Sequence, residues 1–306
     1  MNITLTPDGP LDVSATLFRY RTWGEDPANH LVGDVLHRVL RLDGRLIGYA
    51  VRGTGSVEQP RLDVRAPGAR GSAVASAIER EVRALFGLDF DLPGFYRMAK
   101  ADPVLAALVE PLHGFRPTLA PTALEMLVGA ITAQQVNLTF AFTLRARLVR
   151  RYGEPVKVAG ATVWAFPEPG VLARASLPEL RAMQFSRTKA LAIRGVGEAM
   201  LSGALDPGAL AAAADQDVIA RLTALHGLGR WTADWFLARC LGRGAVCPAG
   251  DLGVRKAFAR YYGRGRMASD VAIRRRARAW GPYQNLAVHY LLAGLRLERV
   301  AAGGGS

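Results

Sequence analysis

The hydrophobic period of this chain changes once, near residue 90, and that change limits the folds open to it. Before it, apolar and polar residues alternate in Val35 to Leu42 (VLHRVLRL), Leu46 to Gly53 (LIGYAVRG) and Arg61 to Ala66 (RLDVRA). A period of two places one set of side chains on one face of a strand. Asp43-Gly44 and Gly53-Thr54-Gly55 separate the runs and carry the residues that tight hairpins need. Ala73 to Phe86 then switches to helical spacing, with Val74, Ile78, Val82 and Leu85 on one face. The expectation is a small α+β domain over residues 1–92, one helix against an antiparallel sheet. Asp91-Leu92-Pro93-Gly94 reads as a linker or turn.

Beyond it the period stays near 3.6. Phe95 to Leu112, Pro121 to Tyr152, Leu177 to Leu201, Asp217 to Leu241, Val254 to Tyr262 and Ala272 to Leu297 read as helical. Gly114, Gly153, Pro207, Gly227, Gly229 and Pro248 punctuate them. Short connections between modest helices predict a compact all-α region over residues 93–300. Residues 301–306 (AAGGGS) read as a flexible tail. The whole is an α+β fold of two domains, which suits 306 residues at about 150 per domain. No run nears the roughly 18 apolar residues of a membrane span, and the N-terminus lacks a signal-peptide pattern. A cytoplasmic protein is expected. Two cysteines, Cys240 and Cys247, are too few for a disulfide framework or a four-cysteine cluster.

Charge narrows the class of partner. Lys plus Arg number 39 and Asp plus Glu 26, a formal +13, and only Lys100, Lys157, Lys189 and Lys256 are lysines. Arginine richness alone is also what a GC-rich genome produces. The distribution says more: between Arg239 and Arg299 there are 13 basic residues and three acids, Asp251, Asp270 and Glu298. A one-sided basic surface attracts a polyanion, nucleic acid first and acidic lipid second.

The residues that carry chemistry lie between Arg221 and Phe258. Val218, Leu222 and Leu225 form an apolar helix face, which His226-Gly227-Leu228-Gly229 interrupts. Arg230 opens a second helix bearing Trp231, Trp235 and Phe236. The pattern is helix, Gly-x-Gly turn, helix. The free amides at the second helix's start suit a phosphate, although helix ends use glycine for capping as well. Asp251 follows a Pro-Ala-Gly turn and precedes Leu252 to Phe258. A solitary carboxylate there reads as an N-cap. Amid so many arginines it equally suits stabilisation of a cationic transition state. Trp231 and Trp235, four apart, share a helix face and can line one pocket or pack in the core. The five histidines, His30, His37, His113, His226 and His289, show no metal-ligand spacing.

These residues resemble a family. Leu225-x-Gly227-Leu228-Gly229-Arg230-Trp231-Thr232-Ala233, followed by Pro248-x-x-Asp251-Leu252-Gly253-x-x-Lys256-Ala257, resembles the helix-hairpin-helix DNA glycosylase superfamily. More narrowly it is similar to 3-methyladenine-DNA glycosylase II, the bacterial AlkA type. The likeness extends through Phe95 to Pro117, through Leu127 to Gly153 with Ile131-Thr132-Ala133-Gln134-Gln135-Val136-Asn137, and through Phe166 to Ala192. It ends with Trp280-x-Pro282-Tyr283. Roughly residues 95 to 297 are covered, and a TBP-like N-terminal domain accompanies such enzymes. The chain departs from the pattern at Gly250, where many relatives have a second acid. It departs again at Gln284-Asn285, where Arg-Ser is frequent.

The resemblance implies a monofunctional glycosylase that flips alkylated bases out of double-stranded DNA and excises them. It makes Asp251 catalytic and gives the base pocket Trp231, Trp235 and Trp280. It assigns DNA contacts to Gln134, Gln135, His226, Gly227, Gly229, Arg230, Thr232 and Lys256. Gln134 and Gln135 fall in the segment that resembles the intercalating loop, or at a solvated helix end. Trp231 stands where bifunctional relatives carry a Schiff-base lysine, and an indole cannot form an imine. No cofactor is required, and a structural monovalent cation at the hairpin is the one ion implied. A monomeric, nucleoid-associated bacterial protein without membrane contact is expected. The alternatives are a glycosylase for deaminated or oxidised bases and a non-catalytic binder of damaged DNA.

Overall fold

A computed structural model describes residues 1–301. The five strands β1 (Asn2–Leu5), β2 (His30–Val32), β3 (Val35–Leu42), β4 (Arg45–Gly55) and β5 (Pro60–Arg65) form one sheet in the order β1-β5-β4-β3-β2. All its pairs are antiparallel. Asp43 and Gly44 both take positive φ, 48° and 71°, and fix the β3–β4 register from Val35↔Arg52 to Leu42↔Arg45. The helix Ser72–Leu85 lies on one face and buries Val74, Ile78, Val82 and Leu85 there, as its spacing predicts. Leu36, Leu40, Ile47, Tyr49, Val51, Leu62 and Val64 complete that core.

The remainder is not all helix. After the helix Leu138–Tyr152 the chain makes a hairpin of β6 (Glu154–Val158) and β7 (Ala161–Ala165), turning through positive φ at Ala159 and Gly160. Val158, Val163 and Ala165 pack on Val39 and Ala50, covering the other face of the N-terminal sheet. The approach is close: a Cβ on Gly48 would lie 2.4 Å from Val158 Cγ2. Gly48 is there because β4 must lie bare beneath that valine.

Several long periodic runs are two helices. Asp102 caps Pro103–Val109 and parts it from Leu92–Ala99. Asn137 caps Leu138–Tyr152, so that Gln134 to Asn137 link it to Ala123–Ala133. Ser186 caps Arg187–Leu201 beyond Leu177–Ala182. In each case a side-chain oxygen restarts the helix while the apolar spacing continues across the break. Asp91 does the same, accepting from Gly94 N, so Asp91 to Gly94 is a helix start and not a linker. At the far end the helix Asp270–Ala277 passes through a 3-10 turn, Arg278–Tyr283, into Gln284–Ala301. Ala301 is thus helical; the rest of the expected tail, 302–306, lies outside the described residues.

The helical core gathers Leu92, Phe95, Leu127, Ile131, Leu148, Ile193, Phe236, Phe258, Tyr290 and Leu291. Among the described residues no helix is long and apolar enough to cross a membrane, and no cluster of His, Cys, Asp and Glu could hold a metal ion.

Candidate active site

Two helices, Asp215–Thr223 and Arg230–Arg239, flank the Gly-x-Gly turn. Leu228 is buried and anchors it. Gly227 takes φ +80°, and a Cβ there would come within 2.7 Å of Ala192 Cβ on the neighbouring helix. Gly229 is exposed and extended, with nothing within 4 Å of its missing Cβ. As N-cap it offers no side-chain acceptor, so the first amides of Arg230–Arg239 face outward at the positive end of the helix dipole.

Asp251 begins the next helix, Leu252–Tyr261, after a turn in which its N–H donates to Pro248 O at 3.0 Å. Its Oδ1 accepts from Val254 N at 3.0 Å, which is the N-cap bond. Its Oδ2 accepts from Trp231 Nε1 at 2.8 Å and from Trp235 Nε1 at 3.2 Å. The carboxylate thus caps a helix, as its position predicts, and two indoles hold its other oxygen. Three donors occupy three of about four lone-pair directions, leaving one free for an incoming group. Trp231 is half-buried, whereas Trp235 is buried and meets the His289 ring edge-on at 5.6 Å.

Other expected site residues are placed less simply. Trp280 does not join this group. Its indole is 2 % exposed, donates to Asp102 Oδ2 at 3.1 Å, and packs on Phe258 and Tyr262. It is a core residue on the Asp102 side, because Asp102 offers its N–H a buried acceptor. Thr232 is 1 % exposed, its hydroxyl 3.4 Å from Gln134 Nε2, so its side chain is withdrawn from any DNA surface. Gln134 itself is turned inward: Nε2 donates to Gly227 O at 2.8 Å, tying the end of helix Ala123–Ala133 to the turn. Gln135 is exposed with φ +55°, a left-handed conformation uncommon for a side chain of its size. His226 and Lys256 are exposed. Arg230 is half exposed but bonded through Nε to Asp234 Oδ1 at 2.8 Å.

The Asp234 partnership escaped the sequence reading. Buried Asp234 also binds Arg274 Nη2 at 2.6 Å, and Arg274 Nη1 donates to Cys247 O at 3.0 Å. The helix of the tryptophans, the arginine-rich helix and the turn before Asp251 are thereby joined. The Arg230–Asp234 spacing was a signal; the 40-residue reach to Arg274 left none. Of the two departures, Gly250 is exposed with open space at its Cβ. Asn285 is buried, its amide donating to Ala238 O and Arg243 O. Burial pushes the Cys240 and Cys247 thiols up to about 12, which removes them as nucleophiles. Surface cavities of about 600 Å³ beside Tyr20 and Asp34, and about 320 Å³ beside Asp91 and Tyr283, lie away from Asp251.

A helix-hairpin-helix turn followed by an indole-held aspartate defines a class, and comparison with known proteins agrees. Residues 128–282 match the HhH-GPD superfamily of base excision DNA repair proteins, and the chain belongs to that family. It is a DNA glycosylase of that superfamily. It is similar to a DNA-3-methyladenine glycosylase of Bacillus subtilis, 30% identical over 214 residues that make up 70% of this chain and 71% of the other. The structure of a 3-methyladenine DNA-glycosylase from Archaeoglobus fulgidus superposes with a TM-score of 0.87 at 25% identity, covering 96% of this chain and 98% of that one. In fold it is also like the Schizosaccharomyces pombe 3-methyladenine DNA glycosylase in complex with abasic DNA. There the TM-score is 0.58 at 23% identity, over 65% of this chain and 95% of that one.

Proposed function

We propose that the protein hydrolyses the N-glycosidic bond of alkylated bases of the 3-methyladenine and 7-methylguanine kind in double-stranded DNA, leaving an uncut strand with an abasic site. The observation that carries this reading is the single Asp251 carboxylate held by Trp231, Trp235 and a helix start. An alkylated purine is cationic and leaves readily, so the barrier lies in the oxocarbenium-like sugar. A fixed carboxylate beside that sugar stabilises the developing charge and orients the attacking water. The half-buried face of Trp231 suits a cationic base, worth about 0.5–2 kcal/mol. Flipping the base costs a few kcal/mol, least where damage has already weakened pairing.

Among the described residues, no lysine occupies the hairpin position that a covalent route would use. Trp231 occupies the hairpin position, and Lys189 is buried with Nζ donating to Thr132 O at 2.9 Å. Lys256 lies five residues past Asp251, off its helix face. At the hairpin the Gly227 carbonyl is taken by the Gln134 amide, and no step depends on a monovalent cation there.

The test is a set of duplexes carrying 3-methyladenine, 7-methylguanine, hypoxanthine or 8-oxoguanine. Release of the alkylated bases is expected, with nicking only after hot alkali and no borohydride-trapped adduct. Asp251→Asn should abolish release and keep DNA binding, since one anion fewer does not weaken attraction to phosphate. Base release by Asp251→Asn at the wild-type rate, or a borohydride crosslink, contradicts the reading.

A further inference from the structure

The helix Gln284–Ala301 packs against the one that Asp251 begins, and it carries an arginine for which base release has so far given no task. His289 on this helix meets the Trp235 ring edge-on at 5.6 Å. Leu292 stands beside the aspartate: a Cβ on Gly253 would lie 3.0 Å from Asp251 Oδ1 and 3.3 Å from Leu292 Cδ2. Arg296 comes one turn later. The three positions fall on one helix face, and Arg296 lies about 6 Å along the axis from Leu292, comparable to the long axis of a purine.

Arg296 is half-buried, and its guanidinium stacks over the Phe18 ring at 3.8 Å. Stacking occupies the flat face of the group and leaves the N–H donors of its edge free. They have no hydrogen-bond or acid partner among the described residues and, unlike His289 Nε2, they are not enclosed. Glu298, the one acid of this helix, is held by Arg260. Burial lowers the Arg296 pKa to about 10 with no anion to raise it back, which still leaves the group charged at neutral pH. A half-buried cation without an acceptor costs stability in the free protein, and a bound group that brings acceptors recovers that cost.

We propose that Arg296 reads the far edge of the flipped base as a fork of donors, pairing with the adjacent O6 and N7 acceptors of a 6-oxo purine such as hypoxanthine. The inference rests on the glycosylase reading above. A guanidinium takes two neighbouring acceptors in this way on a purine edge that offers them. An adenine-type base puts a 6-amino donor in place of one acceptor, and 7-methylguanine has its N7 blocked, so each keeps one bond at most. Arg296 is thereby a specificity-determining residue, while Asp251 serves all of these bases alike. Phe18, which holds the guanidinium flat, precedes the helix Arg19–Thr22, so the N-terminal segment takes part in choosing the base.

Single-turnover release from duplexes carrying hypoxanthine or 3-methyladenine tests this with wild type, Arg296→Met and Arg296→Lys. Arg296→Met keeps an unbranched side chain over Phe18 and removes the donors. It should slow hypoxanthine release about 10- to 100-fold and 3-methyladenine release by less than about threefold. Arg296→Lys, a point charge without the fork, should fall between wild type and Arg296→Met on hypoxanthine. Thermal unfolding of each variant separates misfolding from lost recognition. Equal losses on both bases, no loss on either, or a wild type that releases 3-methyladenine and not hypoxanthine overturns the proposal while leaving the glycosylase reading intact. A wild type inert on every duplex overturns both.

Discussion

At the scale of single residues, the site depends on groups whose polar atoms are all but spent. Asp251 gives one oxygen to a helix start and the other to two indoles, which fixes the carboxylate in place before DNA arrives. Preorganisation of this kind lowers the reorganisation needed at the transition state. His289 is the opposite case, a ring with one nitrogen bonded and one idle. Its acid response follows from linkage. The ring titrates near 6.5 when unfolded and about 4 in the fold. Between those values the unfolded chain binds more protons, so stability falls as pH drops through that window and is untouched above it. The loss by pH 4 is on the order of 3 kcal/mol. Denaturant unfolding from pH 8 to pH 4 should give a wild-type-minus-His289→Leu difference that is flat above 6.5 and slopes below. A flat difference throughout would mean that the ring is not held neutral.

Elements follow the sequence where the local signal is strong and depart from it where packing decides. The β3 strand has the bounds its sequence predicts, because Asp43-Gly44 sets the register locally, but its burial does not alternate, since the β6–β7 hairpin covers its second face. The hairpin turn and the aspartate beyond it were equally legible, since glycine, tryptophan and proline stand at fixed spacings. The β6–β7 hairpin was not, although Val156, Val158 and Val163 alternate around Ala159-Gly160. Two strands between long helical runs are stable only against Val39 and Ala50, more than a hundred residues earlier. Nor did the Trp280-x-Pro282 pattern say that the indole faces Asp102 rather than Asp251. The two hairpin glycines illustrate different demands. Gly227→Ala places a Cβ at positive φ and against Ala192, so it should cost about 1–3 kcal/mol in denaturant unfolding. Gly229→Ala meets open space at an extended φ and should leave stability within about 0.5 kcal/mol while weakening duplex binding regardless of base sequence. Unchanged affinity in Gly229→Ala would show that the backbone there does not meet phosphate.

Across the whole molecule, a few buried acids hold arginines between elements, while the excess of basic over acidic residues lies at the surface. Asp234 neutralises Arg230 and Arg274, Asp102 pairs with Arg276, and Glu125 lies between Arg38 and Arg145. Arg264, Arg266, Arg275, Arg278 and Lys256 are exposed and make no ion pair among the described residues, so these five charges face solvent unneutralised and add to a positive surface potential. The Glu125 group also joins the two cores. Arg38 comes from β3, Glu125 from helix Ala123–Ala133 and Arg145 from helix Leu138–Tyr152, with Asp26 completing the chain at 3.1 Å from Arg145 Nε. Burial disfavours the charge on Arg38, but Glu125 and Glu81 outweigh it and hold the guanidinium protonated well above its ordinary range. Removing the shared anion therefore takes a partner from two buried cations, leaving Arg38 with Glu81 at 3.7 Å and Arg145 with Asp26. Glu125→Ala should lose about 3–5 kcal/mol, a cost that replacing an exposed partner never reaches. Because the group is shielded from solvent, that loss should be nearly the same at 0.05 M and 0.5 M salt, while duplex binding by the wild type falls steeply over the same range. Urea unfolding of both proteins at the two salt concentrations separates the cases. A Glu125→Ala deficit that shrinks with salt as the DNA affinity does would place these charges in reach of solvent and end their role as the buried link between sheet and helices.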